Sequence, residues 1–203
     1  MMRPLLVTFL VSGTLPPPGA APAQRPVPNG VLRHGSLSFD GRATLGDFVG
    51  RTDSVTGAMT GGDDLSAVRG WVEAPVRTLL TGNGKRDKDL NKSMQSDSFP
   101  TMRFELDGVT PDSTRAGTSG DTVAVALRGR LTLHGVARDV SLPAVVVLGP
   151  EEIGVRSDFP LNLKDYRIGG LSKMLGLLKM HPDIVVHVDV VFGVVPPAAS
   201  GSP

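Results

Sequence analysis

Along most of the chain apolar and polar residues alternate with a period of two, the spacing of a strand that buries one face. In residues 101–107, Met102, Phe104 and Leu106 share one face, and Thr101, Arg103, Glu105 and Asp107 share the other. In residues 121–134, Val123, Val125, Leu127, Leu131 and Leu133 fall together, opposed by Arg128, Arg130 and Thr132. In residues 183–192, Ile184, Val186, Val188, Val190 and Phe192 oppose His187 and Asp189. Gly129 stands on an apolar face, where a missing side chain points to a bend or bulge. Further strands are expected at 31–39, 42–49, 54–60, 66–73, 140–148 and 153–163, with a turn at 135–138. Eight or nine short strands without alternating helices predict an all-β barrel or sandwich, not a parallel α/β sheet. Periodicity alone does not choose between barrel and sandwich.

Two segments break this pattern. Residues 83–94 (NGKRDKDLNKSM) are polar and predict a short helix. Residues 169–179 carry Leu171, Met174, Leu175, Leu177 and Leu178, a helix-like apolar clustering interrupted by Gly176 and ending before Pro182.

The two ends of the chain read differently. Met1, Met2 and Arg3 precede an apolar run at 5–11 (LLVTFLV), and Ala21 and Ala23 supply small residues at the −3 and −1 positions of a cleavage site. Residues 1–23 are therefore expected to be a secretory signal peptide, which places the mature chain in the periplasm or outside the cell. Residues 24–30 read as a linker, 31–193 as the folded domain and 194–203 (VVPPAASGSP) as a disordered tail. A chain of 203 residues suits one such domain.

Composition removes several function classes. A formal charge of +1 without a basic run gives no basis for binding nucleic acid. The chain contains no cysteine, so disulfides, thiolate nucleophiles, zinc–thiolate sites and an N-terminal lipid anchor are excluded. The four histidines, His34, His134, His181 and His187, show no metal-ligand spacing, and neither a G-x-S-x-G elbow nor a P-loop occurs. Asp63–Asp64 and Glu151–Glu152 are adjacent carboxylates in expected turns, where solvation explains them. Asn91-Lys92-Ser93 fits a glycosylation sequon. No catalytic residue, metal or cofactor is expected.

Three stretches together resemble the YceI-like polyisoprenoid-binding family: residues 81–104 (TGNGKRDKDLNKSMQSDSFPTMRF), 129–143 (GRLTLHGVARDVSLP) and 159–192, which opens FPLNLKDYRIGG. Residues 39–50 (FDGRATLGDFVG) also look like an early strand pair of one branch. The first stretch matches a polar loop and short helix with an Arg-Asp pair; the second matches a strand, a His-Gly turn and a returning strand. The resemblance covers residues 31–193, and its motifs are more specific by order and spacing than singly. One departure is Asp139, where the family's turn often carries Pro.

The resemblance implies a lipocalin-like eight-stranded antiparallel β-barrel with one or two short helices, enclosing an isoprenoid chain such as a polyprenyl or quinone-like lipid. It also makes Met102, Phe104, Leu106, Val125, Leu127, Leu131, Leu133, Val186, Val188 and Val190 a cavity wall; as strand residues alone, each would equally suit a filled core. Leu171, Met174, Leu175 and Leu178 read either as a packed helix or as a lid over the barrel mouth that touches a membrane during lipid exchange. Arg86 and Asp87 are expected to tether the neighbouring segment, with a lipid headgroup as the alternative. His134 reads as a turn residue satisfied by backbone, and Trp71 is ambiguous in face. Family members can pair as dimers, which leaves a homodimer open. The rivals to a carrier are an enzyme using His134 or Asp165 as acid/base on a small apolar substrate, and a filled barrel serving as an interaction scaffold.

Overall fold

The computed structural model describes residues 26–44, 46–112, 121–169, 172–173 and 178–195, with 172–173 and 178–179 as backbone alone. In chain order the strands are β1 (Asn29–Gly41), β2 (Phe48–Thr52), β3 (Thr56–Thr60), β4 (Arg69–Pro75), β5 (Thr101–Pro111), β6 (Thr122–Leu133), β7 (Val136–Leu148), β8 (Glu152–Asn162), β9 (Ser172–Lys173), β10 (Leu178–Lys179) and β11 (Asp183–Val195). A helix, α1 (Gly84–Ser93), lies between β4 and β5. Each large-sheet strand pairs antiparallel with its neighbours, in the order β11-β8-β7-β6-β5-β4-β3-β1-β2. The sheet closes on itself, because β1 also runs beside β11, from Asn29↔Val195 to Asp40↔Val185. β2 and β3 share one edge of β1, β2 along Leu37–Gly41 and β3 at Gly30 and Val31. The result is a closed eight-stranded antiparallel barrel, which decides between the two architectures that periodicity left open.

Local chemistry explains the boundaries. His134 and Gly135 both have positive φ (52° and 70°), so a two-residue hairpin turn joins β6 to β7. β7 therefore begins at Val136, earlier than the turn expected at 135–138. A side chain on Gly135 would also meet the Phe99 ring. The expected strand at 42–49 begins only at Phe48, because Gly46 (φ 113°) turns the chain first. Asn83 caps α1, its side-chain oxygen accepting from the Lys85 and Arg86 amides at 3.1 Å each. The bend foreseen at Gly129 falls on its partner strand: the β5–β6 register slips between Leu106 and Gly108, opposite Gly129. That extra residue keeps Val109 inside with Met102, Phe104 and Leu106, and the absent side chain at Gly129 leaves room for the Phe104 ring.

Three expectations are corrected. The helix-like reading of 169–179 fails where the backbone is described, since Leu178 pairs with Lys173 and Lys179 with Ser172 as strands. Clustered apolar residues in a short run fit either state, and glycines at 169, 170 and 176 weaken the helix. The barrel also starts before residue 31: Val27 is buried and bridges Gly62, and Asn29 Oδ1 accepts from the Gly61 amide at 2.9 Å. At the other end β11 continues through Val194 and Val195, both expected in the tail.

The β7–β8 seam is short for the length of its strands. β6 and β7 pair along twelve positions, but β7 and β8 pair only from Val145↔Arg156 to Leu148↔Ile153. Beyond it, side chains replace the ladder: Ser157 Oγ donates to the Pro143 carbonyl at 2.7 Å and Arg138 Nε to the Asp165 carbonyl at 2.7 Å. Pro143 and Pro160, on the two strands that part, lack the amide donors a continuous ladder needs.

Candidate functional site: the barrel interior

Alternate residues of every barrel strand point inward, and they do not fill the space they enclose. A cavity of about 570 Å³ runs through the barrel. Its wall is almost wholly aliphatic and aromatic, so water inside would find few partners and an apolar guest is favoured. Of the ten residues expected as lining, nine border the cavity: Met102, Phe104, Leu106, Leu127, Leu131, Leu133, Val186, Val188 and Val190. Val125 does not; it is 0% exposed and belongs to the packed core. Leu171, Met174 and Leu175 lie outside the described residues, as does the Leu178 side chain.

The wall includes residues the sequence reading did not single out. Leu37 and Phe39 come from β1, Leu142, Val146 and Leu148 from β7, and Ile153, Val155, Phe159 and Leu161 from β8. The β8 set alternates cleanly with period two and was legible. The β7 set was not, because Val145, Val146 and Val147 are chemically alike; only Val146 faces inward, its neighbours being 39% and 48% exposed.

The two ends of the cavity differ. Where β1 begins, Val27, Leu65, Val68, Val109 and Phe192 give an apolar floor. At the opposite end α1 and its two capping residues contribute Leu90 and Met94 to the apolar wall and Asn83, Lys85, Arg86, Asp89 and Ser93 to the rim. The transition is graded. Phe39, buried at 5% exposure, meets Phe48 edge-to-face with centroids 6.1 Å apart, and the Arg86 guanidinium lies 4.2 Å above the Phe48 ring. Asp87 is a tether, as expected: its Oδ1 accepts from the Thr81 amide at 2.8 Å and the Thr81 hydroxyl at 2.6 Å.

The candidate acid/base groups lie elsewhere. His134 is 7% exposed, its Nδ1 is 3.1 Å from the Tyr166 carbonyl, and its ring packs edge-to-face on Phe99. Nδ1–H donates to that carbonyl, and Nε2 is buried with no hydrogen-bond partner among the described residues. Neither His134 nor Asp165 borders the cavity. On the outer surface His187 lies between two carboxylates, Nδ1 2.6 Å from Asp158 and Nε2 3.3 Å from Asp40. The bond to Asp158 raises the His187 pKa above the ordinary histidine value, Asp40 adds to this, and partial burial opposes it. Trp71 stacks with Arg103, whose guanidinium is 4.6 Å from the ring centroid and 3.3 Å from Glu73. Among the described residues no cluster of His, Asp and Glu is arranged to hold a metal ion, and no helix is long and apolar enough to cross a membrane.

The profile of the YceI-like domain matches residues 31–192. Among solved structures, a polyisoprenoid binding domain from Saccharophagus degradans, implicated in plant cell wall breakdown, aligns with a TM-score of 0.67 at 16% identity, covering 82% of this chain and 98% of its own. BcnA from Burkholderia cenocepacia aligns at 0.64 and 12% identity, covering 77% of this chain and 95% of its own. A YceI protein from Campylobacter jejuni aligns at 0.50 and 17% identity over 96% and 99%. At these identities the structures share the fold. No curated protein matches the chain in sequence.

Proposed function

The chain belongs to the YceI-like domain family, and on that premise we propose that it is a binding protein that holds a long isoprenoid-type lipid, polyprenyl or quinone-like, inside its barrel. The observation that carries this reading is the apolar cavity of about 570 Å³ along the barrel axis. Each buried CH₂ contributes roughly 0.8 kcal/mol, so one five-carbon isoprene unit contributes on the order of 3 kcal/mol before ordering costs. Several units give tight binding with no hydrogen bond. The name of the Saccharophagus degradans domain supports the same ligand class.

The role is binding and not catalysis. In support, the two groups considered as acid/base lie outside the cavity wall, and the His134 ring is held by a backbone carbonyl and an aromatic neighbour. The leader-like residues 1–23 support a site of action in the periplasm or outside the cell.

Organic extraction of the purified chain followed by mass spectrometry tests this. The expected result is an isoprenoid lipid in stoichiometric amount, chemically unchanged after incubation. An extract without lipid, from a chain that also fails to take up added prenyl alcohol, overturns the proposal.

A further inference from the structure

We propose that the parted stretch of β7 and β8 is a lateral portal, through which an apolar chain passes sideways between the outside and the barrel cavity. This rests on the reading of the barrel as an isoprenoid carrier and adds the route by which the guest enters and leaves.

Where the two strands separate, residues 136–144 of β7 and 157–162 of β8 face each other without a ladder. A cleft of about 470 Å³ lies along this slot, and Arg138, Asp139 and Pro160, all exposed, stand on its outer border. Leu131, Leu142, Phe159 and Leu161 border both the cleft and the cavity. One layer of side chains therefore separates the guest's space from the surface.

Opening a paired seam leaves main-chain donors and acceptors without partners, which is costly. Here closure rests on side chains. The Ser157 hydroxyl holds the Pro143 carbonyl part-way down the slot. Nearer α1, Arg138 Nε donates to the Asp165 carbonyl, and its guanidinium lies 5.9 Å from the Tyr166 ring centroid. Pro143 and Pro160 bring no amide donor to the slot, which keeps the strands from zipping together.

The slot also lies where a long guest needs it. Asn162 pairs with Asp183, and Asp40 with Val185, so the slot reaches the end of the barrel where α1 sits. The other end is closed by Val27, Val68 and Phe192. Entry by the mouth alone would thread a flexible chain end-first past Leu90 and Met94, at the cost of straightening it. A slot running down from the mouth admits the same chain along its length.

The protein has no cysteine of its own, so two introduced thiols can be bridged selectively. Ser141→Cys and Pro160→Cys, at exposed positions on opposite sides of the slot, are joined by a short bifunctional methanethiosulfonate that dithiothreitol removes. Uptake of geranylgeraniol, and its release to an excess of acceptor vesicles, are timed before bridging, after it and after reduction. Bridging is expected to slow both rates at least about tenfold while the Kd stays within about twofold, because a portal alters the path and not its end states. Reduction should restore the rates. Arg138→Ala should raise both rates about threefold at unchanged Kd. The same bridge between Val147→Cys and Gly154→Cys, across rungs already paired, should leave the rates unchanged. Unchanged exchange in the slot-bridged chain overturns the inference and leaves the carrier reading standing, as does equal slowing by the Val147–Gly154 bridge. A chain that takes up no geranylgeraniol in any form removes both.

Discussion

Where β1 begins, Val27, Leu65, Val68 and Phe192 close over the cavity with nothing but hydrocarbon; where β1 ends, α1 lays Lys85, Arg86 and Asp89 around the same space. The floor residues belong to the packed core, with Val27, Val68 and Phe192 at 7%, 4% and 5% exposure. The rim residues are half-buried or exposed. The contrast is one of chemistry: one end is built by apolar packing, the other from polar and charged side chains at the cavity's rim.

Substitutions at the two ends should break this symmetry of position in very different ways. Phe192→Ala at the floor should cost about 3–5 kcal/mol in denaturant unfolding, because a buried ring is lost and its place stays open. If it costs less than about 1 kcal/mol, the floor is not packed as described. At the rim, Asn83→Ala removes the α1 cap and should cost about 1 kcal/mol, with faster amide exchange confined to the first turn of the helix. Exchange that rises equally in β6 or β11 would contradict a local role.

His187 lies on the outer wall, away from both ends, and should show the smallest effect. Its pKa is raised in the folded state, so the stabilisation is present in acid below the ordinary histidine value and is lost as pH rises through the raised one. Arg156, paired with Asp189 at 2.7 Å, is the nearest charge pair along the same two strands. The NMR titration midpoint of His187 should lie above that of a histidine in the unfolded chain, and Asp158→Asn should lower it. Solvent exposure keeps the contribution to stability small.

The barrel was legible where faces differ in chemistry and illegible where they do not. Met102, Phe104 and Leu106 alternate with Arg103 and Glu105, so their inward face could be read before any fold was known. Val145, Val146 and Val147 gave no such signal, and only pairing with β6 and β8 sorts them. The slip at Asp107 that keeps Val109 inside has no local signature, since it is set by the register against β6. Closure depends on residues far apart, Asn29 beside Val195, and period-two patterns carry no information about which strands meet. Arg86 was visible as part of an Arg-Asp pair, yet its place above Phe48 arises only when the barrel brings β2 and α1 together. Val125 shares its face with Leu127 and still does not border the cavity, because facing inward is not the same as facing empty space.

The central claim is that the interior is hollow and takes hydrocarbon. Val188→Trp, placed on the wall of that space, tests it most directly when both chains are titrated with geranylgeraniol. The account predicts one molecule bound per unmodified chain, and a variant that folds normally yet binds at least about a hundredfold more weakly, its indole occupying the guest's place. Undiminished binding by a folded Val188→Trp variant would show that the lipid sits elsewhere and would contradict the account.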